Sequence, residues 1–529
     1  MTTSTRRCLS GIGLAAGLAW LAAVVPIGSH AVAADFQLEF LARHHTGGAG
    51  TAEIAAYDKQ TKRLFITNAT DNRLTIVDIS NPQAPVRKRL VDLSSFGGGP
   101  NSVAVSGGRV AVAVEANVKT DPGTVVFFDT AGNLKGQVQV GALPDMLIFS
   151  PDGKWLLVAN EGEPNSYNQT DSVDPEGSVS IINTSRSTVN QADVRKAGFR
   201  KFNGNAEALR AKGVRIFGPN ASVAQDVEPE YITISKDSKT AWVTLQENNA
   251  FAIVDIESAK VTRLVPLGFK DHSKKRNALD ASDEDGRINI RPWPVLGMYM
   301  PDAVASFEVD GETYLVTANE GDARDYDGFS EEARVEDLTL DPVAFPNPNL
   351  KNEDKLGRLT VTTTNGDADK NGQFEQLYAF GGRSFSIWNA RGKLVFDSGD
   401  QLERVTAEAL PNNFNSDNEE DNFDNRSDNK GPEPEGVTVG KAFQRTFAFV
   451  GMERIGGIAV YDVSNPRAPV FHHYLNTRRF NADPAIAGDS GPEGLLFIPA
   501  AQSPNGEPLV VATHEISGTT AIYALRKAP

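Results

Sequence analysis

Short apolar strands recur along this chain in one arrangement. A strand opens on a small polar or acidic pair, and a second strand closes on a carboxylate or amide about fifteen to twenty residues later. The openings are Ala52-Glu53, Pro100-Asn101, Pro144-Asp145, Pro229-Glu230, Pro301-Asp302, Pro434-Glu435 and Pro492-Glu493. The closings are Asn68, Glu115, Glu161, Glu247, Glu320, Glu453 and Glu515. Third strands are expected at 74–79, 124–129, 178–182, 250–256, 358–363, 457–463 and 520–525. A period built of strands predicts an all-β fold, a seven-bladed β-propeller. Radial repetition would make neighbours of polar positions that lie far apart in sequence. Further strands at 384–388 and 394–396 either complete the fifth blade after its insertions or make an eighth.

Turn chemistry repeats with the strands. The stretch from Asp78 to Val86, with Ser80-Asn81-Pro82 at its turn, returns from Asp462 to Val470 with Ser464-Asn465-Pro466; such turns send the chain into an outer strand. The last unit ends at Leu525 without an outer strand, while residues 36–42 alternate apolar and polar side chains. That first strand is expected to close the ring, making 35–529 a single domain with no exposed sheet edge there. Long insertions occupy 184–225, 268–294, 321–356 and 401–430. Residues 415–424, nearly all Asn, Asp, Glu and Ser, read as a solvated acidic linker.

Arg6-Arg7, the apolar run to Ile27 and the small residues Ala31 to Ala34 predict a signal peptide over 1–34, with the twin-arginine route one possibility. The only cysteine, Cys8, falls within it, so the mature chain is expected to lack disulfides. Loss of Arg6 and Arg7 takes the formal charge from −16 to −18. A surface this acidic excludes nucleic acid as a partner. With no later segment long and apolar enough to span a membrane, the expectation is a periplasmic or secreted monomer without a membrane anchor.

The densest motif runs Thr317-Ala318-Asn319-Glu320-Gly321-Asp322-Ala323-Arg324-Asp325, echoed by Asn160-Glu161-Gly162-Glu163. Crowded carboxylates need compensation: either Arg324 pairs with them, or a hard divalent cation such as calcium takes Asp322 and Asp325 as oxygen ligands. A hydrated, salt-bridged rim is the plainer alternative. Asp367, Asp369, Asn371 and Glu375 have the spacing of half a calcium loop, with Tyr378 where a bidentate glutamate would complete it, although Asn371-Gly372 also suits an ordinary turn. Arg426 and Lys430 precede the Pro434-Glu435 opening and Arg454 follows the Glu453 closing, which puts basic groups beside carboxylates. Asn68 and Asn101 read as scaffold.

Met300-Pro301-Asp302, the 317–326 motif, Phe380-Gly381-Gly382-Arg383-Ser384-Phe385 and Gly431-Pro432-Glu433-Pro434-Glu435-Gly436 together resemble the choice-of-anchor I family of exported propellers, whose members are often described as alkaline-phosphatase-like or mesenchyme-specific cell-surface-glycoprotein-like. The resemblance implies a calcium-compatible extracytoplasmic propeller and supplies no catalytic residues. The leading expectation is a metal-dependent phosphoesterase acting on a small phosphorylated substrate. Glu320, Arg324, Glu435 and Arg454 would be catalytic, and Glu161, Arg426, Lys430, Glu453, Glu493 and Glu515 would bind ligand. The alternative is a non-catalytic propeller that binds a surface ligand or partner and is stabilised by calcium.

Overall fold

Strands rich in β-branched and aromatic residues, such as Arg109–Val114 and Leu509–His514, pair antiparallel with their neighbours in sequence, as expected of residues that suit a pleated surface. The computed structural model describes residues 35–418, 420–480 and 488–529. The signal segment expected over 1–34 lies outside them. Among the described residues, seven four-stranded antiparallel sheets form the blades of an all-β propeller. Their inner strands are Ala55–Asp58, Pro100–Ser106, Pro144–Phe149, Ile232–Ile234, Val304–Val309, Pro434–Ala442 and Pro492–Ile498.

Each blade is buried on both faces, since the apolar clusters straddle neighbouring blades. Val112 and Val126 of blade two meet Phe65 and Ile76 of blade one; Leu509 and Val511 of blade seven meet Leu64 and Ile66 of blade one and close the circle. The fourth strand of blade seven is Phe36–His45, antiparallel to Thr519–Lys527. Phe36 and Leu38 are buried there, with the Phe36 ring 5.0 Å from that of Phe447. Arg43 anchors the same strand by donating from Nε and Nη2 to Asp489 at 2.8 and 2.5 Å.

Blade five corrects one expectation. Its third strand is Ser384–Asn389, paired with Glu312–Asn319, and Leu394–Asp397 is its fourth. These strands complete blade five, and the ring has seven blades. Residues 360–362 belong instead to a five-stranded sheet built wholly from insertions, with strands Phe269–Asp271, Leu296–Met298, Tyr378–Ala379, Thr360–Thr362 and Glu332–Arg334. That sheet has its own apolar cluster, including Trp293, Val335, Leu356 and Leu359. An apolar run alone cannot tell a blade strand from an insertion strand.

The expected solvated linker at 415–424 is corrected in part, since Glu420, Asn422 and Phe423 are exposed but other residues are not. Asn415, Ser416 and Asn418 are buried. Asn415 Nδ2 donates to Glu403 Oε1 and Ser427 Oγ at 3.1 and 2.8 Å. Side-chain hydrogen bonds hold this segment where apolar packing is absent. No helix among the described residues is long and apolar enough to cross a membrane.

Removing Phe36–His45 would expose the Thr519–Lys527 edge and uncover the Phe447 and Phe449 cluster. The truncated protein is expected to be insoluble. Recovery of a soluble species that melts cooperatively would contradict that.

Candidate functional site

The openings reach the axis through a backbone device. In blades two, three, six and seven the strand register shifts just after the proline, between Pro100 and Ser102, Pro144 and Leu147, Pro434 and Val437, and Pro492 and Leu495. A bulge leaves a residue unpaired in the ladder and re-aims its side chain. Asn101, Asp145, Glu435 and Glu493 occupy these bulges. With Glu53, Asp302 and the closing residue Glu515 they line an axial cavity of about 380 Å³. Asn101, expected to be scaffold, therefore faces this cavity. Six carboxylates line it, and no lysine or arginine does.

Crowding and burial shift these groups together. Burial, reinforced by Glu493 and Glu515, pushes the Glu53 carboxyl up to about 9. Burial and then Glu515 raise Glu493 to about 8, and burial and then Glu163 raise Asp145 to about 7. Glu435 and Asp302 are raised well above the carboxylate range, by burial first and Glu493 second.

Beside the cavity, Glu320, Glu433 and Glu453 bring carboxylate oxygens within 4.8 Å of one another. Three bases neutralise them. Lys430 Nζ lies 2.7 Å from Glu320 Oε1 and 3.4 Å from Glu433 Oε2. Arg454 Nε stands 3.2 Å from both Glu433 and Glu453, and Arg426 Nε donates to Glu433 Oε1 at 2.9 Å. Gln246 Nε2 and Asn418 Nδ2 donate to Glu320 Oε2 and Glu453 Oε1. Glu433 is held down at about 2 despite its burial, because Lys430, Arg426 and Arg454 surround it.

The third grouping is of a different kind. Glu161 follows the second strand of blade three, while Glu230 precedes the first strand of blade four and Glu247 follows its second, and their oxygens also converge within 4.8 Å. Arg324, 1% exposed, pairs with Asp226 at 3.3 Å and Glu228 at 3.0 Å. It does not pair with its neighbours Asp322 and Asp325 as the motif suggested.

Asp322 is exposed beside Lys430, 3.6 Å away, and Asp325 is exposed in a short hairpin with Phe329–Ser330. Neither enters a carboxylate cluster among the described residues. Asp367, Asp369 and Glu375 do converge, on an exposed loop. Their oxygens accept from the amides of Asn371, Gly372 and Ala368, while Asn371 Oδ1 accepts from Gln373 N.

Gly321 shows why the Asn-Glu-Gly closing needs glycine. Its φ is +90°, and a Cβ there would come within 2.2 Å of Gly381 N. The motif is thus a backbone junction as well as a source of carboxylates.

The family model for the Choice-of-anchor I domain matches residues 53–466. Gigasin-3a of Magallana gigas is 33% identical over 193 residues, which span 34% of this chain and 68% of that protein. The mesenchyme-specific cell surface glycoprotein of Strongylocentrotus purpuratus is 29% identical over 318 residues, 51% of this chain and 40% of that protein. Among solved structures, hydrazine synthase of Kuenenia stuttgartiensis aligns at a TM-score of 0.45 and 14% identity, covering 92% of this chain and 97% of that one. The Cps50 (Swd1) β-propeller domain of Myceliophteria thermophila aligns at 0.44 and 8%, covering 92% and 99%.

Two predictions follow from the charges. Glu53, Asp145 and Glu493 titrate near 9, 7 and 8 in the fold but near 4 when unfolded, so the native state holds the extra protons between those limits. Stability should then fall as pH rises from about 5 to about 9, seen as a declining melting temperature in chelator; a flat or rising profile would contradict the assignment. Glu433→Ala would leave Arg426, Lys430 and Arg454 without their shared partner and should cost about 3–5 kcal/mol in denaturant unfolding.

Proposed function

The chain belongs to the Choice-of-anchor I domain family, and from that premise we propose that it is a non-catalytic binding propeller working outside the cytoplasm, whose axial cavity receives a cationic group of a ligand or partner. The location rests on the predicted signal segment and on the name of the sea-urchin relative, a cell surface glycoprotein. The observation that carries the reading is the lining of the cavity: six carboxylates with no basic side chain among them.

A phosphoesterase would need a base or metal free to meet phosphate oxygens. Arg324, Arg426, Lys430 and Arg454 are each engaged with a protein carboxylate. A phosphate approaching the cavity would instead meet carboxyl groups with no base among them, and any that ionise repel it more strongly in a low-dielectric funnel than in water. A protonated amine can take the place of the protons that burial holds on these carboxyls, and the cavity volume suits one side chain rather than a folded surface.

Titration with a short lysine-rich peptide should show salt-sensitive binding that weakens about tenfold or more in the double variant Glu435→Gln, Glu493→Gln. In parallel, a phosphomonoester panel with and without chelator should show no turnover. Hydrolysis that disappears in chelator and in Arg454→Ala would restore the enzymatic reading.

A further inference from the structure

The two buried carboxylate clusters are alike in geometry and opposite in compensation. Around Glu320, Glu433 and Glu453, lysine and arginine nitrogens and two side-chain amides occupy the oxygens. Around Glu161, Glu230 and Glu247, no ion pair reaches any of the three among the described residues. Arg324 lies nearby, but its guanidinium is shared between Asp226 and Glu228. Glu230 Oε2 and Glu247 Oε2 are buried and have no hydrogen-bond partner, and both residues are only 6% exposed. A third such atom, Glu228 Oε1, adjoins them in sequence and is also without a partner.

Unpaired buried carboxylate oxygens are rare because each carries its full desolvation cost. Two of them within one converging triad, with a third two residues before Glu230, point to a missing positive partner. We propose that Glu161, Glu230 and Glu247 bind a hard divalent cation, calcium by preference, which fastens blade three to blade four.

The geometry fits the ion. Calcium–oxygen distances are about 2.3–2.6 Å, so oxygens that share one ion lie up to about 5 Å apart. The triad's oxygens all lie within 4.8 Å of one another, inside that limit. Magnesium demands shorter distances and a stricter octahedron. Zinc usually takes nitrogen or sulfur, and the convergent donors here are all carboxylates. Glu161 follows the second strand of blade three, whereas Glu230 and Glu247 belong to blade four, so one ion would tie together residues up to 86 positions apart that the ladder hydrogen bonds of each blade leave separate.

The site is distinct from the exposed Asp367, Asp369 and Glu375 loop, and the experiment must keep them apart. The full mature chain would be stripped with chelator and dialysed, then titrated with calcium chloride alone and melted at each concentration. Wild type is expected to rise in melting temperature by on the order of 5 °C at saturation. Glu230→Gln should lose that rise while melting in chelator at or above the wild-type temperature, because the amide removes a buried charge without changing shape. Glu247→Gln serves as a second variant should the first misfold. Asp367→Asn with Asp369→Asn should keep the rise. The proposal is overturned if stripped wild type shows no calcium-dependent shift, if the glutamine variants retain it, or if the loop variant alone abolishes it.

Discussion

Repulsion among carboxylates that radial repetition brings to one axis is the constraint on which the rest of this molecule turns. Two like charges 4 Å apart at an effective dielectric near 20 repel by about 4 kcal/mol, against a total stability of about 5–15 kcal/mol for a domain. Six carboxylates line one axial cavity, and further clusters stand beside it. The fold tolerates them only where protons, bases or bound cations offset the repulsion. Of these, the protein itself supplies protons at the cavity, where Glu53, Asp145 and Glu493 are all raised, and bases around Glu433.

The bases come mostly from outside the blades. Lys430 and Arg426 belong to the insertion before blade six, and Arg324 to the one that interrupts blade five; Arg454 alone follows a blade closing. The insertions thus do more than decorate the ring. Arg383 shows how firmly they are fixed to it: at 3% exposure it donates to the carbonyls of Asp280, Ser427 and Asn429 and to the Glu403 carboxylate. One guanidinium at the start of a blade-five strand therefore holds two insertions in register. A bidentate, planar donor suits that work better than a lysine would.

How much of this is legible in sequence follows from which forces act locally. The blades are legible because apolar strands and Ser-Asn-Pro turns recur with the unit, and the axial carboxylates because the Pro-acid openings mark the bulges that aim them. Glu320, Glu453 and Lys430 meet as the spacing suggests. Nothing local marks Glu433, Glu228 and Asp226 as site residues, although Glu433 sits in a Gly-Pro-Glu-Pro-Glu run. Their roles depend on which arginine reaches them across the fold, and Arg324 passes over Asp322 and Asp325 for partners about a hundred residues away in sequence. The burial of Asn415, Ser416 and Asn418 is hidden for a similar reason: polar residues held by hydrogen bonds leave no apolar pattern to read.

The unequal compensation around the ring also bears on what the axial face can select. On the side of blades five and six, three acids and three bases form a locked, nearly neutral wall. The cavity itself keeps its carboxylates without bases. A fixed neutral wall beside a cavity without bases confines the oxygens that can exchange a proton for a cation to one opening instead of spreading them over the face. Such confinement favours a compact cation over a diffuse basic surface, and it offers an anion no base to meet. It also sets a limit on affinity: a bound cation must displace the protons that burial has placed on Glu53 and Glu493, so binding and proton release are coupled. The propeller's axial chemistry is therefore governed less by any single residue than by competition between protons and cations for the same oxygens.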